Sequence, residues 1–403
     1  MPFFRRLPPV YSAVRLPTVW TALRTQLSAR VEVDDELALD TAASRLSRLY
    51  PSRDILLTDS GTSALMLALQ ATKPPKARMP SVALPAFACP DLGTAAVGAG
   101  YQIFLYDVDP DTLSPDLDSL RRCFLDGASH VVVAHLFGRL VDLDIVSAMA
   151  GQFGAVVIED AAQHAGGSLN GVRGGALADW SILSFGRGKG LNAGGGGALL
   201  RVRADGENTG ELAIQGMAAS IVTLARASAA EVFSHPSLYW LPAALPVLQL
   251  GATEYKVPRA ARSANRSSEL LLIDALDHES ADLDSRRAIE RRYWDSLDVE
   301  ACRRRGLLLA KPPSRMLSGA LRFPIRLQAT IRNELAARGV ARSYPRTLAD
   351  YPQIFERMVR PSRETPGARE LARSLYTLPT HSRVESSDCD AIIHGILQMV
   401  TGQ

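Results

Sequence analysis

Lysine is nearly missing from this chain. Lys73, Lys76, Lys189, Lys256 and Lys311 are the five present in 403 residues, and arginine carries nearly all the positive charge. Any lysine chemistry must come from that short set. Cysteine is scarce as well: Cys89, Cys123, Cys302 and Cys389 are scattered, without the close pairs that a zinc site or redox motif needs. They read as free thiols of a reducing cytoplasm, and no metal is expected. No segment supplies the roughly 20 unbroken apolar residues of a membrane-spanning helix. The opening MPFFRRLPPVYSAV lacks an apolar stretch ending in a small-residue cleavage site, so it is not read as a signal peptide. A large excess of charge is also absent. A formal charge of +3 with no long basic run gives no reason to invoke nucleic acid.

What is there is an ordinary globular composition, 47% hydrophobic and 22% charged, in a chain long enough for two domains. Residues 1–50 read as an arm and a polar helix, DDELALDTAASRLSRLY. From Asp54 short apolar runs alternate with helix-like segments: DILLTD, SVALPAFA, YQIFLYDVD, HVVVAHLFG, GAVVIEDAA, WSILSFG and GGALLRVR are strands, and SGTSALMLALQAT, PDLDSLRRCF and VDLDIVSAMAGQFG are helices. That alternation predicts a doubly wound α/β unit with a mostly parallel sheet, over about 51–205.

The stretch 206–256 is more apolar, with an alanine-rich helix and then SHPSLYWLPAALPVLQLG. Its prolines break any long helix. It reads as a subunit interface or a lid over the site, with shallow attachment to a membrane surface as the other reading. From 257 an arginine-rich helical run leads into a smaller α+β unit: ALRFPIRL as a strand, TIRNELAARG as a helix, and a last helix DCDAIIHGILQMV. The division expected is thus an arm (1–50), a large domain (51–256) and a small domain (257–403).

The chemistry begins where strands end, because ligands of parallel α/β sheets collect beyond the carboxyl ends of the strands. AVVIED ends on Asp160, an acid that is either a helix cap or the partner of a cation. WSILSFGRGKGLNAGGGG places Ser184 at a strand end and Lys189 five residues on, inside a glycine-rich turn. A lysine there is poorly placed for a surface ion pair and well placed to meet a ligand approached by backbone. Catalytic lysines form Schiff bases with carbonyl cofactors, and pyridoxal-phosphate (PLP) enzymes pair such a lysine with an acid at the pyridinium nitrogen. DSGTSALMLAL offers a phosphate the start of a helix.

Taken in order, SGTSALMLAL, LPAFA, GAGYQIFLYDVDPDTLSPDLDSL, HLFGRLVDLDIV and VIEDAAQHAGGSLNGVRGGALADWSILSFGRGKGL with GGGGALL resemble the DegT/DnrJ/EryC1/StrS family of PLP-dependent aminotransferases. The resemblance covers roughly 54–201 well and thins over LDSRRAIERRYWDSL, SYPRTLADYPQIF and LYTLPTH. It implies the type I PLP-dependent transferase fold and a homodimer, and the cysteine usage adds a cytoplasmic location. By resemblance Lys189 forms the Schiff base with PLP and moves the substrate proton, and Asp160 keeps the pyridine nitrogen protonated. Gln163 lies near the phenolic oxygen, Phe87 stacks on the ring, and Gly61, Thr62 and Ser184 hold the phosphate. Phe87 as plain core and Gln163 as a helix-start hydrogen bond stand beside those readings. Dehydratase relatives carry histidine in place of the lysine, so Lys189 favours transamination from glutamate or glutamine to a keto group.

Two departures bear on the acceptor. The asparagine–tyrosine–arginine element usual in sugar-modifying members is absent from YKVPRAARSANRSSEL, where Arg259, Arg262 and Asn265 are the available substitutes. The 206–256 segment is also more apolar than a nucleotide-sugar enzyme leads one to expect. A nucleotide-linked keto-sugar is the leading acceptor by resemblance, and a more apolar keto substrate is the rival. Other PLP chemistry on this fold and a non-catalytic PLP-binding regulatory protein are the competing functions.

Overall fold

The computed structural model describes residues 5–27, 41–74, 79–203, 212–245, 251, 253–297, 302, 305, 307, 310–359 and 364–401. The first part of the expected helix DDELALDTAASRLSRLY lies outside them. Among the described residues, two helices precede the first strand, α1 (Leu16–Leu27) and α2 (Ala42–Leu49). There follow β1 (Asp54–Thr58), α3 (Gly61–Ala71), β2 (Ser81–Pro85), α4 (Asp91–Gly98), β3 (Gln102–Tyr106), α5 (Leu117–Leu125), β4 (His130–Ala134), α6 (Leu143–Gln152) and β5 (Val156–Asp160). A hairpin of β6 (Ser168–Leu169) and β7 (Val172–Arg173) leads to β8 (Trp180–Ser184) and β9 (Gly197–Arg201).

Seven of these strands form one sheet in the order β1-β9-β8-β5-β4-β2-β3. Every pairing from β8 to β3 is parallel, while β9 runs antiparallel to both β8 and β1. The mostly parallel sheet is therefore as expected, and β9 is its one reversed strand. The strands β2 and β4 are buried throughout and apolar after their first residues, Ser81 and His130, as suits strands covered on both faces. Side-chain caps start the helices: Ser60 takes the N–H of Ser63 for α3, Asp116 that of Ser119 for α5, and Asp142 that of Asp144 for α6.

Beyond β9 the chain forms α7 (Met217–Phe233), α8 (Trp240–Ala243), α9 (Arg266–Asp277) and α10 (Glu279–Ser296). A short β10 (Met316–Leu317) joins β6. A second sheet has the order β11-β13-β12, from Phe323–Arg326, Leu375–Leu378 and Ala341–Arg342. Its core of Tyr293, Phe323, Ile325, Leu378 and Ile392 also takes Leu7 from the N-terminal arm. Packing does not follow chain order. Leu271 and Leu272 of α9 bury with Leu183, Leu200 and Leu46, while Tyr344, Tyr351, Ile354 and Leu371 join the core around β2, β3 and β4.

The topology brings the ends of β1, β5 and β8 to one edge. Thr58 and Ser184 both pair with Gly197, and Asp160 pairs with Ile182. The segments that follow those three strands thus meet in space although they are distant in sequence.

Candidate active site

At that edge lies a cavity of about 340 Å³ whose wall includes Gly61, Thr62, Asp160, Gln163, Ser184 and Lys189. Six of the seven residues singled out by sequence converge there. The cavity is within the range of small-molecule sites. Cys89, Leu92, Arg187 and Lys256 complete much of its wall.

Lys189 is carried by a turn closed by its own N–H on the Gly186 carbonyl at 3.2 Å. The N-terminal arm clamps this turn from outside. Ser12 Oγ donates to the Lys189 carbonyl at 2.5 Å, and Asn192 Nδ2 donates to the Ser12 carbonyl at 2.8 Å. Gly188 between them has φ +75°, and a Cβ there would stand 2.8 Å from Val10 Cγ2. Only a residue free of Cβ fits that conformation and that contact comfortably.

Asp160 is buried at the end of β5. Burial pushes its carboxyl above the ordinary range, while the charge of Lys189 and the Ala162 N–H, 2.9 Å from Oδ1, act the other way. The strand that carries it is fixed from the opposite face. Burial works against a charge on Glu159, yet His135 Nε2 (2.8 Å), the N–H groups of Gly175 (2.6 Å), Leu177 (2.9 Å) and Ala178 (3.3 Å), and Ser181 Oγ (2.6 Å) hold its carboxyl below the usual range. His135 Nδ1 accepts from the Val141 N–H at 3.1 Å, which leaves the imidazole proton on Nε2.

At the other end of the cavity α3 begins. Its first N–H groups have no partner within the helix, and Ser60 spends its side chain on Ser63. A Cβ on Gly61 would lie 2.9 Å from the Ser184 Cβ, so the glycine leaves the room in which an anion can rest on the helix start. Gln163 is less free than expected. Its Nε2 donates to Tyr344 Oη at 2.6 Å and its Oε1 accepts from the Phe137 N–H at 3.3 Å.

Phe87 is placed differently from its six companions. It is fully buried, edge-on to the Tyr344 ring at 5.6 Å, and is not part of the cavity wall, which Cys89 and Leu92 reach instead. Burial raises the Cys89 thiol to about 12, so it stands there as a neutral group. Of the three substitutes for the absent tripeptide, Asn265 is committed to capping α9, accepting from Ser268 N–H at 3.0 Å and donating to Thr223 at 3.0 Å. Arg262 gives its carbonyl to the Asp59 N–H at 2.9 Å. Arg259 lines an adjoining cavity of about 450 Å³ that shares Asp59, Ser60, Thr62 and Lys256 with the first.

The residues fit pyridoxal phosphate. A loop lysine, a buried carboxylate and a helix start cleared by Gly61 supply an amine, a partner for a ring cation and a phosphate seat in one enclosed space. Sequence reasoning missed Cys89, Tyr344, Lys256 and the Ser12 clamp. Cys89 follows Phe87 by two residues and carried no signal of its own, and the rest join the site only through tertiary folding.

A lysine loop facing an acid-ended strand beside a helix N-terminus sits on a seven-stranded α/β sheet with one reversed strand, the fold of known PLP-dependent transferases. Residues 43–219, less than half of the chain, match the model of the DegT/DnrJ/EryC1/StrS aminotransferase family. The L-glutamine:2-deoxy-scyllo-inosose aminotransferase of Streptomyces fradiae is 34% identical over 146 residues, 36% of this chain and 34% of that protein. The match thus spans about a third of the length of that relative. The fold is shared throughout. The crystal structure of a DegT DnrJ EryC1 StrS aminotransferase from Brucella abortus superposes with a TM-score of 0.68 at 20% identity, covering 96% of this chain and 95% of the other. That of DesI in the presence of its TDP-sugar product gives 0.72 at 20% identity, covering 99% and 94%.

Proposed function

We propose that this chain is a PLP-dependent aminotransferase that takes an amino group from an amino acid, with glutamate or glutamine as donor, and delivers it to a keto group of a sugar-like acceptor. The observation that carries the proposal is the enclosure of Lys189 and Asp160 in one cavity with the start of α3. Pyridoxal phosphate, when bound, supplies the electron sink that makes the carbon bearing the amino group acidic. The remaining work belongs to the chain.

Lys189 Nζ holds the cofactor in the resting enzyme and then moves the proton to and from the substrate carbon, acting as general base and acid. Asp160 stays charged against a protonated ring nitrogen. The cation repays the burial that raises this carboxyl in its absence. The N–H groups of Gly61 and Thr62, with the hydroxyls of Thr62 and Ser184, donate to the phosphate. Gln163, held by Tyr344 and Phe137, would orient the cofactor by hydrogen bonding, and Phe87 backs that wall through Tyr344.

The relatives support a sugar-like acceptor. The Streptomyces fradiae protein is named for an inosose, and the DesI structure for a TDP-sugar. The adjoining cavity with Arg259 and Lys256 is the space we assign to the acceptor. We also propose a homodimer, supported by a strongly exposed apolar face on and before α7: Ile214 is 89% exposed and Met217 53%.

The test is the visible absorbance of the purified protein with pyridoxal phosphate, followed during addition of L-glutamate or L-glutamine. A cofactor band that converts to the pyridoxamine form with an amino donor supports transamination. A bound cofactor indifferent to every amino donor supports another PLP chemistry instead.

A further inference from the structure

A further cavity, of about 510 Å³, lies between α10 and the segment that leads into the second sheet. It shares no lining residue with the candidate active site or with the cavity that adjoins it. Arg287, Arg291 and Trp294 line one wall, and their i, i+4, i+7 spacing puts them on one face of α10. Lys311, Met316 and Leu317 lie in the other wall.

The neighbouring arginines of α10 are engaged elsewhere. Arg286 gives Nε to the Gly319 carbonyl at 3.2 Å and Nη2 to the Ala165 carbonyl at 2.9 Å, and Arg292 pairs with Asp390 at 2.7 Å. The cations of the cavity differ. Arg287 is half-buried and donates Nε to the Ser318 carbonyl at 2.8 Å. Among the described residues, Arg287, Arg291 and Lys311 form no ion pair. Two acids share the walls with them. Asp284 is exposed, and Glu290 accepts from Ser318 Oγ at 2.9 Å while burial raises its carboxyl. Three unpaired cations thus outnumber two acids, one of which burial pushes toward its neutral form.

Trp294 adds a flat apolar surface. Its ring is held edge-on to Phe323 at 4.9 Å, and the Lys311 ammonium is 6.0 Å from its centroid. The facing wall is built in advance of any ligand. Met316 and Leu317 pair with β6, the Gly319 N–H donates to the Gly138 carbonyl at 2.9 Å, and the Ala320 N–H donates to Ser318 Oγ at 2.9 Å. Leu317 is nevertheless 57% exposed. A dianion satisfies cations of this kind through charge-assisted bonds, and a planar ring covers a tryptophan face at low entropic cost. We propose that this cavity binds an aromatic phosphate of nucleoside monophosphate size, with its ring on Trp294 and its phosphate held by Arg287, Arg291 and Lys311. The volume is within the range of small-molecule sites. The site is separate from Lys189, so it stands or falls apart from the aminotransferase reading.

The experiment titrates the protein, saturated with pyridoxal phosphate, by calorimetry with AMP, GMP, CMP and UMP. The matching nucleoside and ribose 5-phosphate serve as half-ligands. At least one nucleotide should bind saturably with a Kd below about 1 mM. Each half-ligand should bind roughly tenfold or more weakly, since it lacks either the anion or the ring. Arg291→Glu combined with Lys311→Glu should weaken the nucleotide by roughly tenfold or more. The same double variant should melt like wild type without ligand, because both side chains are exposed and unpaired. Arg259→Ala, in the cavity assigned to the acceptor, should bind the nucleotide as wild type does. Failure of all four nucleotides to bind overturns the proposal, as does a half-ligand that binds as tightly as the nucleotide. Binding undiminished in the double variant also overturns it, and its loss in Arg259→Ala then assigns the nucleotide to the acceptor cavity. A large drop in the melting temperature of the double variant overturns it too, by assigning the two cations to structure.

Discussion

Asp160 carries the sharpest conflict of any single residue in the site. Burial alone favours its neutral form, yet the proposed role requires a carboxylate facing a cationic ring. The two are reconciled by linkage: the cofactor must lower the affinity of Asp160 for its proton, so acid must weaken the cofactor's hold. As pH falls through the raised range of the free carboxyl, protonated Asp160 has to release its proton before it can pair with the ring. Cofactor affinity measured by fluorescence titration should therefore decline on the acid side at a pH above the ordinary carboxylate range. Asp160→Asn should remove that dependence. The same variant should still capture the cofactor but convert it with L-glutamate more slowly by a factor on the order of 100, as expected when a general electrostatic partner of the reaction is lost. An Asp160→Asn protein that converts at the wild-type rate would show that the ring nitrogen needs no acid here.

The elements show what was legible in the sequence and what was not. Strands β1 to β5, β8 and β9 were readable because each is a short apolar run bounded by polar or glycine-rich segments. Lys189, Asp160, Ser184, Gly61 and Thr62 were readable because all follow or end such runs, where a parallel sheet collects its ligands. The role of Phe87 was less so. Along the loop after β2, pattern alone does not say which of two residues turns inward, and Phe87 packs on Tyr344 while Cys89 meets the cavity. Helix α1 was also unread, since its sequence LPTVWTALRTQL is preceded by prolines that suggested an arm. Tyr344 and Ser12 reach the site from far along the chain, and no local periodicity records that. At this scale Gly188 is the most sensitive position. Gly188→Ala forces a side chain into a φ of +75° and against Val10, at about 1–2 kcal/mol for the backbone strain alone. The melting temperature should fall. Cofactor retention should fall further than the loss of stability explains, because the turn that presents Lys189 is displaced. Retention equal to wild type at temperatures well below melting would mean that the arm does not position the lysine.

The whole molecule adds two expectations. The first concerns assembly. Ile214, Met217, Ile221 and Val222 are exposed apolar residues on and just before α7, the surface we assign to the partner subunit. Ile221→Arg should shift the particle mass in light scattering from dimer to monomer, and a wild type that is monomeric at micromolar concentration would remove the dimer from the account. The second concerns acid stability. Burial lowers His130 to about 4, His164 to about 3 and His381 to about 4. Each is therefore neutral in the folded protein where the unfolded chain already binds a proton. Their contribution to stability is complete above about pH 6.5 and is lost progressively as pH falls below it. Each contributes a slope of about 1.4 kcal/mol per pH unit in that window. Glu269 and Glu290, raised by burial, act in the opposite direction. His164→Gln should reduce proton uptake on unfolding near pH 5 by about one, measured from the pH dependence of urea midpoints.

Everything proposed for this site hangs on one covalent attachment among five lysines. The direct measurement is to saturate the protein with pyridoxal phosphate, reduce it with borohydride, digest it and locate the added mass by tandem mass spectrometry. The account predicts the modification on Lys189, with wild-type labelling abolished in Lys189→Ala. Stoichiometric labelling of Lys256, the other lysine in the cavity wall, with Lys189 unmodified, would contradict it.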